Sequence, residues 1–158
     1  MTASRLWFDR VASLFYGLAA LSLLAILALM IARVLSRNLG LGFSGLQIVA
    51  QLLEVWLAFL VVGGLALDDG HIEIDYLSRR IPERWQPIHD ILVSLVTLWA
   101  TAVVFFGSVQ AIQRFADSTS PVIDIPIPLY YLAPIVGLGF LIAVLVRRIV
   151  IDVQEVRA

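Results

Sequence analysis

The sequence predicts an all-α integral membrane protein with four transmembrane helices and an amphipathic interfacial helix between the second and the third. Of its 158 residues, 61% are hydrophobic and only 15% are charged. Four long runs are free of charge or contain a single charged residue, and a helix needs about 20 such residues to cross a bilayer. The chain has no cysteine and a net charge of -1, which excludes disulfides, thiolate metal sites and an electrostatic surface for nucleic acid.

The four runs predict one membrane domain over residues 1–158. We expect the spans at about 11–32, 46–67, 91–113 and 128–146. The second span contains Glu54, and we include it because a carboxyl group that faces protein is tolerated in a helix bundle. The first span is expected to stay in the protein, because its apolar core is longer than that of a typical cleaved signal peptide.

The positions of the arginines predict the orientation. Eight of the eleven lie in the N-terminal segment, in the middle connection and in the C-terminal segment, whereas three lie in the other two connections. The positive-inside rule therefore places both termini in the cytoplasm. The outward connections are 33–45, expected to be a loop with one helical turn, and 114–127, expected to be irregular because of its prolines.

The middle connection contains an amphipathic pattern. Apolar residues recur at steps of three and four over residues 74–88, and arginines lie between them. We expect a helix, broken at Pro82, that lies along the inner membrane surface and contacts lipid; an ordinary connecting loop is the alternative. The expected membrane-surface anchors are Arg79, Arg80, Arg84 and Trp85.

Residues 68–75 collect four carboxylates and one histidine. The segment lacks the spacing of a calcium loop, and a zinc site would need further ligands. We therefore interpret the segment as structural: Gly70 ends the second helix, Asp75 caps the interfacial helix and His71 packs beside it. No nucleophile–base pair is visible, so the sequence predicts no catalytic residue, no substrate-binding residue, no metal, no cofactor and no enzyme activity.

Glu54 is the residue that most needs an explanation, because an ionisable group inside a span is by default a candidate for ion or proton coupling. The alternative is a structural carboxyl that contacts a partner, pairs with Arg33 or Arg114, or is protonated and hydrogen-bonded. We favour the structural interpretation, since the other spans offer no chain of polar groups. The predicted partner interface consists of Gln47, Gln51, Glu54 and Trp56.

The order of features resembles a known family. The stretch Trp56-Leu-Ala-Phe59 is followed by small residues, by Gly70-His71-Ile72-x-x-Asp75 and by the arginine-bearing amphipathic segment. This order is similar to that of the small membrane subunit, called DctQ-like, of TRAP (tripartite ATP-independent periplasmic) transporters. The resemblance covers nearly the whole chain.

The resemblance implies a function. In that family the small subunit of the bacterial inner membrane is a scaffold for a large multi-span subunit. The large subunit moves the substrate, and a periplasmic binding protein delivers carboxylates or sulfonates for sodium-coupled uptake. Two alternatives remain open: the small subunit of a tripartite tricarboxylate transporter, and a self-sufficient proton-coupled exporter that uses Glu54. A small glutathione-using membrane enzyme would need a cluster of arginine and tyrosine that the spans lack.

Overall fold

The computed structural model describes residues 3–41, 43, 45–65 and 86–157 of the chain. These residues form four helices, each long and apolar enough to cross a membrane. Outside the helices, the described part contains one isolated β-bridge, between Thr119 and Pro126, and no strand. The predicted all-α membrane fold is therefore confirmed. The helices are α1 (Ala3–Asn38), α2 (Gly45–Leu65), α3 (Gln86–Arg114) and α4 (Pro128–Arg157).

Helix α1 is longer than predicted, and the expected loop at 33–45 is helical as far as Asn38. The helix ends in a Schellman motif, in which the Leu41 N–H donates to the Ser36 carbonyl (2.9 Å) and the Gly40 N–H donates to the Arg37 carbonyl (3.2 Å). Gly40 adopts a φ of 70°, which glycine reaches without steric cost. The end of α1 is therefore determined by Gly40 and not by the charge at Arg33.

The connection between α3 and α4 is irregular, as its prolines predicted. Two backbone hydrogen bonds hold residues 118–127 together, from the Ile127 N–H to the Ser118 carbonyl and from the Ser120 N–H to the Ile125 carbonyl, each 2.9 Å. Pro128 is the first residue of α4, where a proline loses no helical hydrogen bond.

The predicted interfacial segment 74–88 is described only in its last three residues, and these belong to the first turn of α3. The rest of that segment lies outside the described residues, so the interfacial helix stays a prediction. The same holds for its expected anchors and for the expected caps: Arg79, Arg80, Arg84, Trp85, Gly70, His71 and Asp75.

The four helices pack in the order α1, α2, α4, α3, with α2 between α1 and α4, and α4 between α2 and α3. A buried cluster joins the first three of these helices: its members are Phe15, Ala19, Leu60, Phe140 and Val144. The rings of Phe15 and Phe140 lie 5.2 Å apart. At one end of the bundle the Arg147 guanidinium lies 5.3 Å from the centre of the Phe8 ring, which ties α4 to the start of α1.

Glycines allow the central helices to come close together. A Cβ placed on Gly137 of α4 would collide with the backbone carbonyl of Phe59 in α2. A Cβ on Gly63 of α2 would lie 2.6 Å from Phe15 Cε2 of α1. Carbon atoms normally lie about 3.5–4.0 Å apart. At Gly137 the clash is with backbone atoms, so the close approach of α2 and α4 requires glycine there. At Gly63 a larger residue would force the Phe15 ring to shift.

Helix α3 packs through small polar residues. Among its residues with described side chains, the buried ones are Ser94, Thr101 and Ser108, spaced by seven residues. A seven-residue spacing keeps side chains on one face of a helix, and small side chains let a neighbouring helix approach. The Ser108 hydroxyl donates to the Val104 carbonyl at 2.8 Å, so its burial leaves no unpaired hydroxyl donor.

Candidate partner-binding surface

Helix α2 is tied to α4 by two hydrogen bonds from side chains. Trp56 Nε1 donates to the Leu129 carbonyl at 3.2 Å, and the Tyr130 hydroxyl donates to the Ile48 carbonyl at 3.1 Å. Trp56 is half-buried and packs against the buried cluster. The Trp56 ring therefore contributes to packing within the chain.

A different face of α2 carries polar residues and is uncovered. We call this face the α2 stripe. Its residues follow each other at steps of three and four, so they line one side of the helix. The exposed residues of the α2 stripe are Gln51, Glu54, Ala58, Val62 and Leu65, and the half-buried Gln47 extends it by one turn.

The structure thus places three of the four predicted interface residues on one face and separates the fourth. Gln47, Gln51 and Glu54 share the α2 stripe. Trp56 follows Glu54 by two residues, which is about 200° around a helix of 3.6 residues per turn. Its indole ring consequently points to the opposite side, toward α4.

Glu54 lies near the middle of its span. It follows Gly45 by nine residues and precedes Leu65 by eleven, which corresponds to about 14 Å and about 16 Å along the helix axis. Its side chain is exposed, and it forms no hydrogen bond or ion pair with any residue that the structure describes. A carboxyl at this depth and in contact with lipid would be costly.

The packing of α1 against α2 explains why Arg33 does not pair with Glu54. Phe15 lies beside Gly63, and Tyr16 lies beside Gly64, so in this antiparallel pair Glu54 is level with α1 residues 24–26. Arg33 is seven to nine residues further toward the other end, which is about 10–14 Å. Arg114, the last residue of α3, does not pair with Glu54 either.

An apolar groove of about 420 Å³ lies beside the α2 stripe. Val55 and Phe59, which directly follow Glu54 and Ala58, form its α2 wall, and the other lining residues are Val104, Ser108, Ile127, Tyr130, Tyr131 and Pro134. The hydroxyls of Ser108 and Tyr130 already donate hydrogen bonds within the chain, and Tyr131 stacks on Phe115 at 5.9 Å. The groove is thus suited to apolar groups.

Within the described residues, no group of three or more histidine, cysteine, aspartate or glutamate side chains could hold a metal. Residues 68–75, the segment that superficially suggested a metal loop, lie outside the described residues. The absence of metal, cofactor and catalytic residues therefore stays a prediction.

Comparisons with known proteins identify the family. Residues 26–155 match the family described as "Tripartite ATP-independent periplasmic transporters, DctQ component". The chain is 23% identical over 132 residues to a TRAP transporter small permease protein of Haemophilus influenzae, covering 82% of each chain. It is also 28% identical over 95 residues to the isethionate TRAP transporter permease protein DctMQ of Oleidesulfovibrio alaskensis, covering 59% of this chain and 15% of that protein.

The family match covers most of the chain and includes all or part of each of the four helices. The four apolar helices and these relatives support a multi-pass protein of the bacterial inner membrane. They also confirm the expectation that the chain is one part of a three-part transporter, because the matched family is described as one component of such a system. The chain belongs to the DctQ component family of tripartite ATP-independent periplasmic transporters.

Proposed function

We propose that this small permease subunit serves a sodium-coupled, binding-protein-dependent transporter of organic acids, as a scaffold for the large transport subunit. The main supporting observation is the α2 stripe, which exposes the carboxyl of Glu54 and the amide of Gln51 on the surface of a membrane-spanning helix. Elsewhere in the described bundle the buried polar side chains are hydroxyls: Ser36, Ser94, Thr101 and Ser108. A substrate path for a charged organic acid would need more polar groups than these, which favours a scaffold role.

The proposed partners are a large multi-span subunit and a periplasmic substrate-binding protein. The relative in Oleidesulfovibrio alaskensis is a DctMQ permease for isethionate, and this chain covers only 15% of its length. That size difference favours a large membrane partner for the present chain. The name of that relative favours a small organic anion, a sulfonate or a carboxylate, as the substrate class.

We propose that the chain forms a single four-helix unit with both termini in the cytoplasm. Arg10 and Arg147 lie toward one end of the bundle, at the start of α1 and in the second half of α4. Arg33, Arg37 and Arg114 lie toward the opposite ends of α1 and α3. Together with the arginines of the middle connection, this distribution favours a cytoplasmic position for the Arg10 end.

Reconstitution in liposomes tests the division of labour. We expect the isolated chain to transport no organic acid, and the complex with the large subunit and binding protein to show sodium-driven uptake. Uptake by the isolated chain would overturn the scaffold role. Proton-coupled drug efflux by the isolated chain would instead establish the alternative of a self-sufficient exporter that uses Glu54.

Photo-crosslinking tests the contact surface. The chain has no cysteine, so single cysteines can carry a photoreactive maleimide without further changes. We expect Gln51→Cys and Ala58→Cys to crosslink to the large subunit. Leu24→Cys is the matched control, because Leu24 is 64% exposed and lies on α1 at the depth of Glu54. Equal or stronger crosslinking from Leu24→Cys would show that the α2 stripe is not the contact surface.

A further inference from the structure

We propose that a basic side chain of the large subunit pairs with Glu54 inside the membrane. This inference rests on the proposed function, in that it takes the large subunit as the occupant of the α2 stripe. It adds the chemistry of the contact: an arginine or lysine that reaches the level of residue 54 on a transmembrane helix of the partner.

The first step is the cost of leaving the carboxyl unpaired. Glu54 lies about 14 Å and about 16 Å from the two ends of α2, and its side chain points away from the bundle. An ionised group in hydrocarbon is tolerated when it pairs with an opposite charge or enters a hydrogen-bonded site. Glu54 forms neither contact with the described residues of its own chain.

The second step is that the described cations of this chain lie at the wrong depth. The α1 residues level with Glu54 are 24–26, which are Leu24, Ala25 and Ile26. Arg33 is the nearest α1 arginine along that helix, and it lies about 10–14 Å further toward one end. No cation among the described residues is therefore level with Glu54, which favours a cation supplied by the partner.

The third step is the shape of the α2 stripe around the carboxyl. Ala58 lies one turn after Glu54 and Gln51 lies one turn before it, all exposed on the same face. The small side chain of Ala58 lets a partner helix come close to α2. The Gln51 amide can donate and accept further hydrogen bonds. The remaining exposed side chains of the α2 stripe, Val62 and Leu65, are apolar, so one charge pair would also fix the register of the two helices.

The test compares substitutions of Glu54 in the complete transporter. Glu54→Gln keeps the shape and the hydrogen-bonding capacity but removes the charge, and it leaves the partner's cation buried and unpaired. We expect it to increase dissociation of the large subunit in detergent by roughly tenfold or more. The control Gln51→Leu removes a neutral group from the same stripe and should change dissociation by a smaller factor. The isolated variants should unfold at the same temperature as the unchanged protein, since Glu54 is exposed.

A suppressor selection identifies the partner residue. Starting from Glu54→Gln, we expect restored uptake to require a substitution in the large subunit that replaces a single arginine or lysine by a neutral residue. Dissociation that equals that of the unchanged complex would overturn the charge pair. A fully assembled Glu54→Gln complex that has lost sodium-driven uptake would also overturn it, because the carboxyl would then be a coupling group.

The crosslinking experiment separates the two possible failures. Gln51→Cys and Ala58→Cys retain Glu54 and report only where the large subunit lies. If both positions crosslink to the large subunit and Glu54→Gln leaves dissociation unchanged, the charge pair is refuted but the α2 stripe remains the contact surface. If neither position crosslinks, the α2 stripe is not the contact surface.

Discussion

Replacing Gly137 by alanine should destabilise the bundle although the substitution adds a single methyl group. The added Cβ would lie 2.7 Å from the carbonyl carbon of Phe59 and closer still to the carbonyl oxygen. These are backbone atoms of α2, so no rotation of a side chain can relieve the clash. Helices α2 and α4 must move apart, by about 1 Å if carbon contacts are to return to their usual distance.

The magnitude follows from two opposing terms. Overpacking of this kind costs about 1–3 kcal/mol, whereas replacing glycine by alanine inside a helix gains about 0.5–1 kcal/mol. Separation of the helices would also weaken the nearby Trp56–Leu129 and Tyr130–Ile48 hydrogen bonds. We expect a net loss of roughly 1–2 kcal/mol, measured as a lower unfolding temperature in detergent micelles.

Gly107 provides the matched control. It lies in the interior of α3, and no atom lies within 4 Å of a Cβ built there. Gly107→Ala should therefore show only the helix gain and leave the unfolding temperature equal or slightly raised. If Gly137→Ala were as stable as Gly107→Ala, the close approach of α2 and α4 would be wrong.

Substitutions at three further positions, each with a control, test two other contacts of the structure and the predicted helix cap. Trp56→Phe should lose the hydrogen bond to the Leu129 carbonyl and cost about 0.5–1.5 kcal/mol in unfolding free energy, while Trp99→Phe, at a side chain that is 71% exposed, should leave unfolding unchanged. Thr101→Leu should overpack the contact between α3 and α4 by about 1–3 kcal/mol in a thermal unfolding assay, and Thr101→Ala should cost less. Asp75→Ala should remove the predicted cap and cost about 0.5–2 kcal/mol, seen as faster hydrogen exchange in residues 76–80, whereas Asp75→Asn should be mild.

Much of the fold could be predicted from the sequence because membrane spans are set by long apolar runs. The four runs correspond to the four helices, and Pro128 begins α4 as expected. The apolar run ends at Arg33, so the sequence predicts the end of the first span there, whereas the helix continues to Asn38. A helix can continue beyond the hydrocarbon, and its end at Asn38 depends on the hydrogen bonds around Gly40.

The contacts between helices were harder to predict because small residues carry little signal in an apolar sequence. Gly63 and Gly137 are separated by 74 positions in the chain, and neither shows from the sequence which helix it approaches. A local clue was available for α3, where Ser94, Thr101 and Ser108 recur at a spacing of seven. That spacing marks one face of a helix, and the structure shows that this face is buried.

Helix geometry divides the four residues of the predicted interface between two faces of α2. Gln47, Gln51 and Glu54 are spaced by four and three residues and therefore share a face. Trp56 follows Glu54 by two residues and belongs to the Trp/Phe stretch. At about 200° from Glu54, the Trp56 side chain lies on another face of α2, and its contact with the large subunit stays a prediction.

The division of α2 into three faces gives a physical reason for a scaffold role. One face packs on α1 through Gly63 and Gly64, and a second is fixed to α4 by Trp56 and Tyr130. These contacts hold the backbone of α2 in place before any partner arrives. A partner that binds the third face, the α2 stripe, then meets a surface that is already ordered, so less conformational entropy is lost on binding. Weakening the internal faces, as in Gly137→Ala, should therefore also weaken assembly, even though Gly137 lies away from the α2 stripe.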